Sequence, residues 1–365
     1  MDPLLMPSDV LEASPSSVNN PETPAGPAPG DAVGEPPSVK LIVRLFVIPL
    51  FIVAAAVGVM FLISLLAGGT PSMEEALERL KSPGGNRTAE WLVGPASKQR
   101  YMDAKTLVDK MKAGMGEAER IRLADELIDV LQNHTRAGEG EIRHFLLLAL
   151  GRSWQKDPAQ PEMNSEVAKA SRTKVLDVLT RHAADPETAT RKAALLATVY
   201  LAGQPEVKQV IPLLVEKVSD QKEDLDVRMA AATALGPIAS PSDTNVVEAL
   251  QSAMREGEPR NAELEWSAAL SLAQLGQTDV APTILKLLSR QELADMRYYD
   301  RESDPHNPAF RPLNDQEQQR ILINTMIGAR NLAVPAVQEQ LKKLAENDPS
   351  PRVRAAGREL LAQHP

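Results

Sequence analysis

A chain of 365 residues with 43% hydrophobic side chains is long enough to bury a sizeable core. Its formal net charge of -9 excludes broad electrostatic attraction to nucleic acid, so no nucleic-acid partner is expected. The absence of cysteine excludes disulfides, thiolate metal sites and a thiol nucleophile.

Residues 1–40 form an acidic, Pro- and Ser-rich stretch whose only basic residue is Lys40 and which holds no aromatic. Such a composition cannot bury enough apolar surface to order itself, and the segment is expected to be a disordered tail. Residues 41–69 follow as an expected transmembrane helix. Its apolar stretch, 45–67, contains no charged residue and as a helix is about 34 Å long, enough to cross a hydrocarbon core of about 30 Å. Pro49 sits near its start, where a missing N–H costs little. Lys40 and Arg44 flank the near end, and Glu74, Glu75 and Glu78 come first on the far side. The positive-inside rule then puts the N-terminus in the cytoplasm and the large domain outside, as a single-pass cell membrane protein with the lipid bilayer as partner of 45–67. Residues 70–116 read as juxtamembrane helices and an N-terminal cap.

From residue 117 to the end, one pattern recurs. DVRMAAATALGPIAS carries Val227, Arg228 and the small face Ala230, Ala231, Ala234, then Leu235 and Gly236, after which a break is expected. Aligning Gly276 with Ala239 places Leu264 and Glu265 at the Val227 and Arg228 positions, a period of 37 residues with the charge reversed at Glu265. Related copies place Arg143, Arg191, Arg320 and Arg354 at the arginine position. Each unit reads as an alanine-faced helix, a short break, then a Leu/Val/Ile helix such as NVVEALQSAM. Neither can bury its stripe alone, so neighbouring pairs must stack. The fold class expected is all-α, an α-solenoid.

The residues Val227-Arg228 with Ala230, Ala231, Ala234, Leu235 and Gly236, and Val353-Arg354-Ala355-Ala356, resemble the HEAT-repeat family. They are most similar to the short bacterial HEAT-like repeats found also in phycobilisome lyases. The layout of tail, span and repeats resembles bacterial membrane-anchored repeat proteins. The resemblance implies architecture first, because its consensus residues pack the solenoid. The repeat arginines are therefore expected to tie one helix pair to a carboxylate or carbonyl of the next.

An insertion over 292–317 interrupts the array. Its Arg297, Tyr298, Tyr299, Arg301, Phe310 and Arg311 are candidate protein-binding residues, since insertions in solenoids project as loops on one side. Trp154 and Trp266 occupy apolar helical positions and are expected in the core. No phosphate loop, HExxH metal motif, GxSxG turn or dinucleotide fingerprint occurs. No catalytic residue, metal or cofactor is expected. The function expected is a membrane-anchored scaffold that binds other proteins without catalysis. The alternative implied by the lyase resemblance is lyase- or chaperone-like handling of a protein-attached cofactor.

Overall fold

Residues 71–82, 96–111, 115–136, 138–157, 162–256, 262–299 and 309–363 are described by the structure, a computed structural model. The expected tail and the expected span at 45–67 lie outside them. No helix among the described residues is long and apolar enough to cross a membrane.

Several helices begin where the sequence supplies a side-chain cap. Ser72 and Glu75 form a capping box at the start of α1 (Met73–Lys81), and Asn314 with Glu317 does the same for α13 (Asp315–Ala329). Ser165 caps α5 (Glu166–His182) and Ser289 caps the short α12 (Arg290–Asp295). The remaining helices are α2 (Ala96–Lys110), α3 (Glu117–Asn133), α4 (Gly140–Ser153), α6 (Thr188–Val199) and α7 (Ile211–Ser219). After them come α8 (Leu225–Ile238), α9 (Thr244–Met254), α10 (Ala262–Gln274), α11 (Ala281–Leu287), α14 (Pro335–Asn347) and α15 (Pro351–Gln363). Short 3-10 turns, Pro205–Val210 and Thr278–Val280, lead into α7 and α11.

Packing sorts these helices into two layers. One layer runs α2, α4, α6, α8, α10, α13, α15; the other runs α1, α3, α5, α7, α9, α11, α14. Seven pairs stack in sequence among the described residues: α1 with α2, α3 with α4, α5 with α6, α7 with α8, α9 with α10, α11 with α13, and α14 with α15. This is an all-helical α-solenoid. The core lies between the layers and continues from pair to pair through residues such as Leu127, Leu146, Val175, Ala194, Leu214, Ala231, Leu250, Leu272, Leu322 and Val353, all buried.

Three expectations are corrected. Each alanine-faced helix packs most closely on the Leu/Val helix that precedes it, not on the one that follows: α8 lies against α7. Residues 73–110, expected as cap and juxtamembrane helices, form a further pair of the same kind. Gly236 was expected to open a break, but α8 continues through Gly236 and Pro237 to Ile238. The reason is close packing. A Cβ at Gly236 would press on Ser271 and Gln274 of α10, just as one at Gly151 of α4 would overlap the Ala197 carbonyl of α6. The bare backbone lets neighbouring helices touch, and Ser271 Oγ donates to the Ala232 carbonyl at 2.7 Å across the same contact.

Gly276 is a different case. It has φ +75 just past α10, where its N–H bonds the Ala273 carbonyl and that of Gln277 bonds the Leu272 carbonyl. This Schellman closure needs the left-handed region that glycine occupies without strain.

The array also contains strand. β1 (Arg297–Tyr299) and β2 (Phe310–Pro312) form a two-stranded antiparallel sheet with Arg297 opposite Pro312, Tyr298 opposite Arg311 and Tyr299 opposite Phe310. The expected insertion boundaries therefore tighten. Helix α12 persists to Asp295 and α13 starts at Asp315, because Glu317 is spent on the capping box.

Candidate functional site

Along one edge of the solenoid, the first turn of each helix in the α2–α15 layer carries a fixed position. Arg143, Arg191 and Arg228 are each the fourth residue of their helix. What they do is repetitive. Each guanidinium accepts no hydrogen bond and offers five N–H donors in a planar fork. Part of that fork closes the loop before its own helix, and the rest reaches the carboxylate in the next such loop.

Arg143 donates to the Arg136 carbonyl at 2.9 Å and to Glu187 at 2.6 Å. Arg191 donates to the Asp185 carbonyl at 2.9 Å and to Glu223 at 2.8 and 3.1 Å. Arg228 donates to the Val218 carbonyl at 3.0 Å and to Glu256 at 2.9 Å. One pair earlier, Arg100 of α2 reaches the Leu80 carbonyl at 2.8 Å and Glu139 at 3.0 and 3.1 Å. The result is a ladder of clamps. Each one fastens the loop that enters one helix to the helix before it.

The carboxylates report the same arrangement electrostatically. Burial works against the charge on Glu139 and Glu223. Bonds from Arg100 and the Arg136 amide in the first case, and from Lys217, the Asp224 amide and Arg191 in the second, hold both pKa values below the ordinary glutamate value. A second buried arginine type lies in the other layer. Arg172 of α5 is fully buried, gives two 2.9 Å bonds to Glu206, donates to the Met163 carbonyl at 2.6 Å, and stacks 5.3 Å from the Trp154 ring centre. Arg120 of α3 is held by the carbonyls of Met115, Ser153 and Gln155. Trp154 is in the core as expected; Trp266 is half-buried instead.

The ladder changes where the insertion enters. Glu265 is the fourth residue of α10, the position of Arg228 in α8. Among the described residues it makes no hydrogen bond or ion pair; burial pushes its pKa up, countered by the charge of Lys286. The next loop in the series is the insertion itself, and among the described residues Glu265 forms no clamp with it. Instead, Arg311 in β2 forms two bonds to Glu317 at 2.6 and 2.9 Å, pulling that carboxylate's pKa down. One position further, the fourth residue of α13 is Gln318, which donates to the Leu313 carbonyl at 3.1 Å. The carboxylate that would be its partner, Asp348, is taken by Arg290 of α12 at 2.7 and 2.8 Å, and Arg290 also meets Asp315 at 3.4 Å.

Arg320 therefore does not hold the repeat position assigned to it. It lies two residues past Gln318 on the exposed side of α13. Arg354, fourth in α15, closes its own loop through the Asp348 and Pro349 carbonyls. Of the insertion candidates, Arg297 is exposed, Phe310 exposes 41% of its surface, and Arg311 is engaged with Glu317. Tyr298 and Tyr299 are placed by their backbone in β1, and Arg301 lies outside the described residues. Two shallow polar clefts open on the ladder edge. One of about 500 Å3 lies beside Arg143, Asp185 and Glu187, and one of about 550 Å3 lies between Arg290, Asp315, Ser350 and Arg352.

Sequence reasoning missed Arg100, Arg120, Arg172 and Arg290. The usable signal for Arg100 was an arginine early in a helix with a carboxylate 39 residues on, comparable to separations of 44, 32 and 28 at the next three rungs.

The chain carries a PBS lyase HEAT-like repeat over residues 265–290, a segment that starts at Glu265. No curated protein matches the chain. Among solved structures it is similar to human deoxyhypusine hydroxylase in complex with glycerol, at 16% identity, covering 80% of this chain and 94% of that one with a TM-score of 0.29.

Proposed function

We propose that this α-solenoid is a membrane-anchored scaffold that binds other proteins at the edge carrying the insertion, and that it does so without catalysis. The carrying observation is the contrast within that edge. From α2 to α8 the arginines and carboxylates of the edge are consumed in clamping one pair to the next. At the insertion the series is broken, and β1 and β2 bring Arg297 and Phe310 to the surface. An exposed aromatic beside exposed charge is the composition of a recognition surface, where a rigid ring supplies contact area and the charge supplies selectivity. A stacked array holds such a feature rigidly, and tethering through 45–67 would raise the local concentration of its partners.

The test is proximity labelling from the repeat domain in native membranes. The intact chain is compared with one in which residues 297–312 are replaced by a short Gly-Ser link. A small partner set that disappears with the hairpin is the expected result. The same set in both chains would move the site to the helical faces. A chain without 45–67 is expected to leave the membrane fraction on carbonate extraction; its retention would refute the anchor.

A further inference from the structure

The clamp that joins α4 to α6 differs from the one after it in holding two histidines. His182 ends α5, and its Nδ1 lies 3.6 Å from Asp185 Oδ2. Arg143 Nε approaches the same carboxylate oxygen at 4.0 Å, and this buried nitrogen finds no hydrogen-bond partner among the described residues. One oxygen thus stands between an arginine and a histidine. The other accepts the Glu187 amide at 2.9 Å, so Asp185 shapes the loop 183–187 from inside. Glu187 in turn takes the 2.6 Å bond from Arg143 and occupies the space over Gly140, where a Cβ would overlap it. The cleft of about 500 Å3 beside Arg143, Asp185 and Glu187 gives water access to this loop.

His144 follows Arg143 on α4. It is half-buried, its ring centre lies 5.2 Å from that of Phe145, and it bonds the Ala189 backbone in the first turn of α6. The charged groups acting on it are Glu141 of its own helix and Lys192 of α6; those acting on His182 are Asp185, Arg143 of α4 and Arg181 of α5. The next link, α6 to α8, is fastened by Arg191 and Lys217 on Glu223, groups that keep their charge between pH 5 and 8.

Burial outweighs the neighbouring carboxylates and holds both imidazoles below the ordinary histidine value. Each ring therefore takes up a proton more readily when the junction is open than when it is closed. Stabilisation from the closed junction is fully present above about pH 6.5 and is lost as pH falls from there through the lower folded values. Between about pH 6.5 and 4.3 the glutamate clamps still hold.

We propose that the junction of α4 with α6 is a pH-sensitive joint, in which protons taken up by His144 and His182 open the loop 183–187 and loosen this link while the next one stays closed. The inference goes beyond the scaffold reading and does not rest on it.

The test is amide hydrogen exchange by mass spectrometry on the full chain in detergent, at pH 7.5 and 5.0, corrected for intrinsic exchange rates. Protection over 183–192 is expected to fall on the order of fivefold more than protection over 220–231. In the double variant His144→Gln, His182→Asn the excess is expected to vanish, with both segments responding alike. If circular dichroism shows that the double variant has lost its helical signal, His182→Asn alone carries the test and must reduce the excess. Ring NMR is expected to titrate His144 and His182 below a histidine in an unstructured peptide. Equal losses over the two segments in the wild type, an excess that persists in the variant, or ring midpoints at or above the peptide value would each overturn the joint.

Discussion

The stretch from α2 to α8 and the stretch from α10 to α13 are built from the same kind of helix pair, yet they hold together differently. In the first, every loop that enters an alanine-faced helix is fastened to the preceding one by an arginine with a carboxylate and one or more carbonyls. In the second, the fastening position carries Glu265 or Gln318, and the cations have moved to Arg290 and Arg311. The lesson is that a repeat can lengthen one loop only by releasing its clamp. The first stretch spends its polar groups on fastening pair to pair, and the second spends Arg290 and Arg311 on Asp348 and Glu317 instead.

The comparison can be broken most severely in the first stretch. Replacing Arg172 with alanine strands Glu206 and empties the face of Trp154. The expected loss is about 4 kcal/mol of unfolding free energy by urea titration; a loss under about 1 kcal/mol would mean the pair contributes little cohesion. Gly151→Ala tests the close helix contact in the same stretch. The added methyl meets the Ala197 backbone, which cannot rotate away, so about 3 kcal/mol of destabilisation is expected from thermal or urea unfolding. Unchanged stability there would show that α4 and α6 can separate at little cost.

Acid sharpens the contrast. Glu139, Glu206, Glu223 and Glu317 all have folded pKa values below their ordinary value. Their stabilisation is thus fully present above about pH 4.3 and is lost as pH falls through the lower folded values. Glu265 has the opposite sign. Its raised pKa makes its charge a cost at neutral pH, a cost that disappears as it protonates on acidification. Urea unfolding from pH 7 to 3 should show stability falling below about pH 4.3, with the fall steeper in Glu265→Gln because the compensating group is gone. The smallest effect is expected for Glu265→Gln at pH 7: an unfolding free energy unchanged or raised, within about 0.5 kcal/mol. A marked loss of stability would mean that Glu265 is a structural contact after all.

Much of the architecture was legible because solenoid packing repeats one local rule. The 37-residue spacing between Val227 and Leu264 placed two equivalent buried residues correctly, since burial along a helix follows directly from periodicity. Gly276 served in the sequence only to set the repeat period, and the left-handed closure it makes after α10 appears only in the structure. Gly236 was not legible, because a glycine that ends a helix and one that lets two helices touch look alike in sequence. Arg320 was misplaced by two positions. The eye follows an arginine, while the structure follows the helix register, which puts Gln318 at the equivalent place. The site itself was only half visible. The insertion and its aromatics stood out by composition, but Glu265 read as a departure from a pattern. Its meaning depended on where the carboxylates of other loops fell in space, which the sequence does not list side by side.

The weak rung also has a mechanical consequence. Couplings between neighbouring pairs act like links in series, so resistance to pulling is set by the poorest of them. The contact of α13 on α10 is thinner than those of α8 on α6 or α10 on α8 and lacks the ionic fastener of the earlier links. Under tension applied between the two ends of the array, the protein would part there first, yielding an N-terminal block ending in α10 and a C-terminal block beginning at α13, each still folded. An array of this kind has a built-in fuse, located at the insertion.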